Sequence, residues 1–264
     1  MDLGLAGKIA LVGGGSRGIG RATAQALARE GASVALFARS ADDLELAVGE
    51  INAATGVPTV ALPTDVTQAE DCERAVAETV ERLGGLDVLV TNMGGPPYRS
   101  ELPEDEADWR AALDLVTLSV IRLCRLAVPH MQARGGGSIV VITTTAVHQL
   151  IPGVSLSGVS RLATTGFANY LATELAPQGI RVNTLLPGWI ATRRVIDLAE
   201  GEARERGVPL EQVYAEQTEA IPLGRFGDPD EIADAVVWLA SERSSYVTGV
   251  NLRVDGGWCL NPAF

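Results

Sequence analysis

The chain has 264 residues, 47% of them hydrophobic and 20% charged, which suits one large core and differs from the composition of a disordered protein. Its formal net charge of −12 opposes binding to nucleic acids and to anionic membrane surfaces. Three scattered cysteines (Cys72, Cys124 and Cys259) and two histidines (His130 and His148) predict reduced thiols and no metal site. The sequence has no apolar run of transmembrane length and no leader-like start, so we expect a cytoplasmic protein.

Seven short apolar or β-branched runs alternate with longer amphipathic segments along the chain. The runs predict strands at residues 9–12, 34–37, 57–62, 86–90, 138–142, 180–185 and 250–254. The segments predict helices at residues 19–29, 41–54, 69–83, 109–132, 157–176 and 229–240. This alternation predicts a single domain over residues 1–264 with an α/β fold of the Rossmann type, a doubly wound parallel β-sheet flanked by helices.

A charged stretch at residues 193–221 interrupts the alternation, because it has a helical pattern but precedes no obvious strand. An insertion after the carboxyl end of a strand is where an α/β enzyme would place a substrate lid. We therefore predict a lid at residues 193–221, with a solvated pair of surface helices as the alternative.

The first predicted strand runs directly into a glycine-rich turn that opens a helix. Glycines allow positive φ and let main-chain N–H groups approach a pyrophosphate at the start of the helix. The strand–turn–helix context is the one that a dinucleotide site requires. The turn therefore predicts the phosphate contacts, which are Gly14, Ser16, Arg17, Gly18, Ile19 and Gly20.

The end of the second predicted strand indicates which dinucleotide binds. An acidic residue there would bind the adenosine ribose and repel a 2′-phosphate, but Ala38 occupies the position. Arg39 follows it, and Arg17 lies in the glycine-rich turn. Two guanidinium groups at one ribose favour a phosphate through charge-assisted hydrogen bonds. We therefore predict NADP(H) rather than NAD(H).

Five further motifs extend over nearly the whole chain. They are Asp65-Val66, Thr91-Asn92-Met93-Gly94, Pro187-Gly188-Trp189-Ile190-Ala191-Thr192, Gly224-Arg225-Phe226-Gly227-Asp228-Pro229 and Val254-Asp255-Gly256-Gly257. With the glycine-rich turn, they resemble the short-chain dehydrogenase/reductase family, in its branch similar to 3-oxoacyl-ACP reductases. Two departures stand out: Gly13 replaces the usual Thr, and the second motif differs from the family's Asn-Asn-Ala-Gly.

The resemblance implies further cofactor contacts. Asp65 and Val66 correspond to the adenine contact, and Asn92 and Gly94 to the contact beside the adenosine ribose. Pro187, Gly188, Ile190 and Thr192 correspond to the turn whose backbone and Thr side chain hold the nicotinamide carboxamide. The resemblance also implies a homotetramer, and we expect the helices at 109–132 and 157–176 to bury apolar faces between subunits.

The catalytic pattern of the family is altered. Active members combine an Asn, a Ser and a Tyr-x-x-x-Lys pair, and alignment of the helix at 157–176 places four other residues there: Val116, Thr144, Ser157 and Arg161. Arg161 keeps the positive charge and could bind ribose hydroxyls, but it cannot relay a proton. The Ser157 hydroxyl is a weaker acid than a phenol and has less reach. Thr144 can still hydrogen-bond a carbonyl oxygen.

Other residues are candidates for the missing proton donor. His148 lies four residues after Thr144 and can donate a proton near neutral pH, although an ordinary loop histidine is the alternative. Tyr98 follows the fourth strand and is a second candidate. Tyr170 should lie on the opposite helix face from Arg161, as a core or interface aromatic, and His130 should be structural.

Three functions remain open from the sequence. The first is an NADP(H)-dependent oxidoreductase that acts on a small-molecule carbonyl or alcohol with a non-standard proton donor. The second is an inactive or regulatory NADP(H)-binding homologue, and the third is a lyase or dehalogenase-like enzyme on the same scaffold. Halohydrin dehalogenases also carry Arg in place of Lys, but they keep the Tyr and lose the cofactor turn, whereas this chain does the reverse.

Overall fold

The computed structural model describes residues 1–96, 105–151 and 153–259. The strands are β1 Ile9–Gly13, β2 Ser33–Ala38, β3 Thr59–Pro63, β4 Val88–Thr91, β5 Gly137–Ile142, β6 Ile180–Pro187 and β7 Asn251–Val254. The helices are α1 Gly18–Arg29, α2 Ala41–Thr55, α3 Ala69–Leu83, α4 Glu106–Leu113, α5 Ser119–Ala133, α6 Ser155–Leu175, α7 Arg193–Arg206, α8 Leu210–Glu219 and α9 Pro229–Ala240. The predicted strands and helices all correspond to elements of this set.

The seven strands form one parallel sheet in the order β3-β2-β1-β4-β5-β6-β7. The strand order reverses between β1 and β4, and open α/β sheets bind ligands in the crevice at the carboxyl ends of the strands at such a point. The sheet confirms the predicted Rossmann-type fold, and it brings the ends of β1, β4, β5 and β6 to one edge.

The core has two apolar layers, one on each face of the sheet. Because alternate strand residues point to opposite faces, Leu11 of β1 packs with α3, α5 and α6, whereas its neighbours Ala10 and Val12 pack with α1, α2 and α9. Both layers are formed mainly by fully buried aliphatic side chains. The edge that carries the turns is therefore supported from both sides by a packed core.

The helix predicted at 109–132 is interrupted. It is divided into α4 and α5 by a wider π-helical turn at Asp114–Leu118. Contacts with α6 hold this turn: the Thr164 hydroxyl oxygen lies 3.4 Å from the Val116 carbonyl oxygen, and the Thr117 hydroxyl donates to the Ser160 carbonyl at 2.9 Å. These contacts join residues more than 40 positions apart, and a helical periodicity in the sequence carries no signal for them.

The stretch predicted as a lid forms two helices, α7 and α8. Gly207, at φ 65°, ends α7, and the two helices meet around Ala199, Ala203 and Val213, all of them buried. This pairing explains the helical pattern that precedes no strand. The function of the pair as a lid stays a prediction.

The three cysteines are free and buried. Burial raises the pKa of the Cys72 thiol to about 11 and that of the Cys124 thiol to about 12. In the described part of the chain, no helix is long and apolar enough to cross a bilayer. No group of three or more His, Cys, Asp or Glu side chains in the same ranges could hold a metal ion.

Candidate active site

The glycine-rich turn after β1 is shaped by contacts that leave no space for side chains. Gly14 and Gly18 have φ of 61° and 56°, which is the left-handed region that favours glycine. A Cβ atom on Gly20 would lie 2.3 Å from the Gly14 carbonyl oxygen and 2.5 Å from that of Gly13. The start of α1 can therefore approach the end of β1 only with glycine at position 20.

The turn lies against two of the other predicted cofactor residues. A Cβ atom on Gly14 would lie 2.7 Å from the main-chain carbonyl oxygen of Asn92 and 2.8 Å from the nitrogen of its side-chain amide. A Cβ atom on Gly18 would lie 3.3 Å from the Thr192 methyl group. The turns that follow β1, β4 and β6 thus meet at one place, and the resulting cradle of main chain fits a dinucleotide phosphate group at the start of α1.

Gly13 and Met93, which both differ from the family motifs, lie next to each other. A Cβ atom on Gly13 would lie 2.7 Å from the Phe37 ring, 2.9 Å from the Met93 methyl group and 3.0 Å from the Asn92 nitrogen. Met93 stands where the family motif has the much smaller Ala. The Met93 side chain is buried beside Gly13, so we expect a larger residue at either position to require a smaller one at the other.

The two arginines predicted at the adenosine ribose differ in their contacts. Arg17 donates to the Asp43 carboxylate at 2.8 Å across the start of α2. Arg39 is exposed, and among the described residues it has no hydrogen bond or ion pair. The next residue, Ser40, caps α2 by accepting from the Asp43 N–H. Of the two guanidinium groups, that of Arg39 is the one with all its N–H groups available.

The predicted adenine contacts are held by the loop after β3. The Asp65 carboxylate accepts hydrogen bonds from the N–H and hydroxyl of Thr67, at 3.0 and 2.8 Å. The Val66 carbonyl accepts from Arg122 at 3.4 Å. Both predicted residues are half-buried, so the loop presents a fixed main chain rather than a free carboxylate.

The predicted nicotinamide turn follows β6. Gly188 donates to the Val254 carbonyl at 3.0 Å, and a Cβ atom on it would lie 2.7 Å from the Cα of Asp255. Ile190 is buried and pairs with Gly227 through an isolated bridge. Pro187 ends β6, and its carbonyl accepts from the Thr145 hydroxyl at 3.2 Å. Three of the family-like motifs therefore hold one another in place around this turn.

Arg161 is half-buried, and main-chain oxygens surround its guanidinium group. Its Nη1 donates to the carbonyls of Ile142 and Thr143 at 3.2 and 3.3 Å, and its Nη2 donates to the Met93 carbonyl at 3.1 Å. Burial, and to a smaller extent the positive charge of Arg194, lowers the pKa of Arg161 from 12.5 to about 10. The side chain therefore stays charged at neutral pH and ties the ends of β4 and β5 together.

The predicted partners of Arg161 are next to it. The Arg161 Nε donates to the Ser157 hydroxyl oxygen at 3.2 Å, one helical turn earlier. The Thr144 hydroxyl, at the end of β5, accepts from the Ala146 N–H at 3.2 Å and keeps its own proton free to donate. With four of its five N–H groups in these bonds, Arg161 has one left for a ligand.

The chain is similar to known proteins over nearly its whole length. Residues 14–259 match the family model described as enoyl-(acyl carrier protein) reductase. The chain is 35% identical over 254 residues to dehydrogenase/reductase SDR family member 4 of Oryctolagus cuniculus, covering 96% of this chain and 94% of that protein. It is 35% identical over 255 residues to the 3-oxoacyl-(acyl-carrier-protein) reductase FabG of Thermotoga maritima, covering 96% and 98%.

A solved structure agrees with both relatives. The crystal structure of L-sorbose reductase from Gluconobacter frateurii, complexed with NADPH and L-sorbose, matches with a TM-score of 0.94 at 33% identity, covering 98% of this chain and 99% of that one. The chain belongs to the short-chain dehydrogenase/reductase family. This confirms the resemblance inferred from the motifs and makes the protein a member of a family of oxidoreductases.

The positions predicted to replace the family's catalytic residues have specific surroundings. Val116, predicted to stand in place of the family Asn, is buried in the π-helical turn, with its carbonyl oxygen 3.4 Å from the Thr164 hydroxyl. His148 is half-buried just after Thr145–Val147, and its imidazole forms no hydrogen bond with the described residues. Its role as a proton donor stays a prediction.

Two tyrosines were also considered from the sequence. Tyr170 on α6 is 77% exposed, so it is not a core residue, and its position fits the alternative of an interface aromatic. Tyr98 lies outside the described residues. His130 lies half-buried in α5, away from the carboxyl ends of the strands.

Arg194 is the residue at this edge that sequence reasoning did not single out. From the second position of α7 it donates to the Gly95 carbonyl at 3.3 Å and to the Pro96 carbonyl at 3.0 Å. A signal existed in the sequence: two arginines directly follow the nicotinamide turn, and no acidic residue lies in the first turn of α7. Only the fold shows which of the two reaches the loop after β4.

Proposed function

We propose that the protein is an NADP(H)-dependent oxidoreductase that interconverts a small-molecule carbonyl and its alcohol without the usual tyrosine. The observation that carries the proposal is the contact of Thr192 with Gly18, because it closes the nicotinamide turn onto an intact phosphate cradle. A protein that used only the adenosine half of a dinucleotide would not need the second turn. L-sorbose reductase, a structural relative, was crystallised with NADPH and L-sorbose.

Different residues around the cradle bind different parts of the cofactor and the substrate. Main-chain groups of the turn from Gly14 to Gly20 hold the pyrophosphate, and Thr192 holds the nicotinamide end. When bound, the cofactor supplies or accepts the hydride. Arg161 directs its remaining N–H group and its charge at the nicotinamide ribose, and Thr144 donates its hydroxyl proton in a hydrogen bond to the substrate oxygen.

The proton on the product alcohol needs a source other than a phenol. Ser157 holds its hydroxyl oxygen against Arg161 Nε, so the hydroxyl proton points away from the guanidinium and can bind a water molecule. We propose that this water, or the imidazole of His148, delivers the proton to the carbonyl oxygen while the hydride reaches the carbonyl carbon. The variant His148→Gln distinguishes the two donors. An unchanged turnover rate and pH profile would exclude His148 as the proton donor and would favour the water molecule.

The test of the proposed function is turnover. Purified protein is incubated with NADPH and a panel of ketones, aldehydes and keto acids, and the loss of NADPH absorbance is measured. We expect at least one compound of the panel to cause oxidation of NADPH. The rate of this oxidation should be about tenfold lower in Thr144→Val, because the variant loses one hydrogen bond to the substrate. If NADPH binds tightly and no member reacts, the inactive or regulatory alternative replaces this proposal.

The preference for NADP(H) rests on Arg39. We expect NADPH to bind at least about tenfold more tightly than NADH, and Arg39→Ala to remove most of that difference, because the free guanidinium pairs with the 2′-phosphate. Arg29→Ala, on the last turn of α1, is the matched control. Equal affinities for the two cofactors in the unaltered protein, measured by calorimetry, would contradict the assignment.

We also propose a homotetramer. Large apolar side chains on α6 are exposed in the single chain, among them Val159 at 50%, Leu162 at 57% and Tyr170 at 77%. Such a row on one helix is typical of an interface. Light scattering should give the mass of four chains and a smaller mass for Leu162→Glu. Leu46→Glu on α2, equally exposed at 59%, should leave the mass unchanged.

The helices α7 and α8 are proposed to act as a lid over the substrate. Arg194 holds the start of α7 against the loop after β4, and the aromatic rings of Trp189, Tyr214 and Phe226 pack where α8 meets the nicotinamide turn. We expect NADPH with substrate to slow amide hydrogen exchange in residues 193–221 more than in α2. Equal exchange with and without ligands would contradict a lid.

A further inference from the structure

Two guanidinium groups border the same short loop at the carboxyl edge. Arg161, on α6, donates to the Met93 carbonyl of the loop after β4. Arg194, on α7, donates to the carbonyls of Gly95 and Pro96 in the same loop. Their charges are close enough for Arg194 to contribute to the lowered pKa of Arg161. Two neighbouring positive charges repel each other, and this repulsion lowers the stability of the fold unless a bound anion neutralises it.

Neither guanidinium has an acidic partner among the described residues. All the hydrogen bonds of Arg161 and Arg194 go to carbonyl or hydroxyl oxygens. The contrast with the neighbouring Arg193 is direct, because Arg193 pairs with Asp197 at 2.7 Å and with Glu200 at 3.6 Å. The charge of Arg193 is therefore already balanced, whereas Arg194 has no acidic partner within the part of the chain that the structure describes.

Arg194 also has donors to spare. The bonds to Gly95 and Pro96 use two of its five N–H groups. It lies in the first turn of α7, where the helix dipole adds partial positive charge and where no acidic residue is present. An arginine held in place with three free N–H groups is suited to bind a carboxylate through two parallel hydrogen bonds.

We propose that Arg194, supported by the charge of Arg161, binds a carboxylate group of the substrate, so that the substrates are keto acids and the corresponding hydroxy acids. The inference deepens the proposed function and relies on it for the carbonyl chemistry. The cofactor pyrophosphate is the other anion to consider, because the turns after β4 and β6 also border its cradle, and the affinity of Arg194→Gln for NADPH distinguishes the two. Thr144, beside the ends bound by Arg161, then receives the carbonyl oxygen of the same molecule.

The experiment measures binding without turnover. The protein saturated with NADP⁺ cannot reduce a keto acid, so calorimetry reports the affinity alone. The probes are three keto acids, namely pyruvate, 4-oxopentanoate and benzoylformate, and the methyl ester of each. We expect at least one acid to bind about tenfold or more tightly than its ester, as a bidentate charged pair implies, and Arg194→Gln to abolish that difference.

Arg193→Gln is the matched control, since it removes the same charge one residue away. If the acid preference survives in Arg193→Gln and disappears in Arg194→Gln, the site is at Arg194. If both variants lose it equally, a general positive field attracts the acid and the proposed site is wrong. Equal binding of acids and esters would also overturn it, as would a loss of NADPH affinity of about tenfold in Arg194→Gln, because the arginine would then serve the cofactor.

Turnover separates this inference from the proposed function. Reduction of esters and acids at equal rates by NADPH would leave the oxidoreductase intact and refute the carboxylate site. Arg194-dependent binding of a keto acid with no oxidation of NADPH by any acid or ester would refute the oxidoreductase and leave the carboxylate site in place.

Discussion

The turn after β1 and the active-site edge around β5 and α6 both depend on main-chain oxygens, but in opposite ways. At the turn, the carbonyls of Gly13 and Gly14 leave no space for any side chain on Gly20. At the edge, three carbonyls attract one large side chain, Arg161. The glycines of the turn match the family pattern where the backbone itself excludes alternatives. The predicted change of the catalytic residues lies where another side chain can satisfy the same backbone.

The largest effect should come from breaking the first half of this comparison. In Gly20→Ala, the new methyl group would lie 2.3 Å from a main-chain oxygen, so α1 must move away from β1. We expect the affinity for NADPH to fall at least about 100-fold and the free energy of unfolding to fall by about 3 kcal/mol.

Gly49→Ala is the control for that variant. Gly49 also lies inside a helix, α2, but a Cβ atom on it would meet nothing within 4 Å. The substitution should raise the free energy of unfolding by about 0.5–1 kcal/mol through helix propensity, with no change in NADPH affinity. Similar behaviour of the two alanine variants in fluorescence titration and urea denaturation would show that the close approach at Gly20 is unimportant.

The second prediction tests the edge. Arg161→Lys restores the family residue, but an ammonium group cannot bind three separated carbonyls and the Ser157 hydroxyl together. The free energy of unfolding should fall by about 3 kcal/mol, because charged hydrogen bonds are lost from a partly buried place. Arg125→Lys, at an exposed position on α5, should change it by less than about 0.5 kcal/mol.

The pH dependence of the Arg161→Lys variant gives a second readout. Burial lowers the pKa of a lysine in the folded state below its unfolded value, so the unfolded state binds more protons between the two values and stability rises with pH there. The unaltered protein should show no such slope from Arg161 below pH 10, since the pKa of Arg161 is about 10. If the two proteins have parallel profiles in urea denaturation between pH 7 and 9, position 161 is not buried as described.

The smallest effect concerns the contact between Gly13 and Met93. Gly13→Thr should lower the free energy of unfolding by about 1–3 kcal/mol, because the Met93 methyl group and the Phe37 ring occupy the space. Met93→Ala should also destabilise the protein, by leaving a cavity. The double variant should be more stable than the sum of the single effects predicts, by at least about 0.5 kcal/mol in a double-mutant cycle. Additive losses would mean that the two positions changed independently.

The sequence predicted the fold because it depends on local signals. Alternating apolar runs located all seven strands, and the spacing of Gly14, Gly18 and Gly20 located the tight turn after β1, whose phosphate-binding role stays a prediction. The three main-chain acceptors of Arg161 could not be predicted, since they lie 18 to 68 positions away and carry no residue identity. For the same reason, the sequence could not predict the carbonyl partners of Arg194, which lie 98 and 99 positions away.

The anchoring of Arg161 also determines how freely its neighbours can change. Its acceptors are the carbonyl oxygens of Met93, Ile142 and Thr143, and every amino acid supplies such an oxygen. Substitution of those side chains therefore leaves the anchor in place as long as the ends of β4 and β5 keep their positions. Because Met93, Ile142 and Thr143 are themselves buried, changes of their side chains should act on core packing and leave the position of the Arg161 charge unchanged.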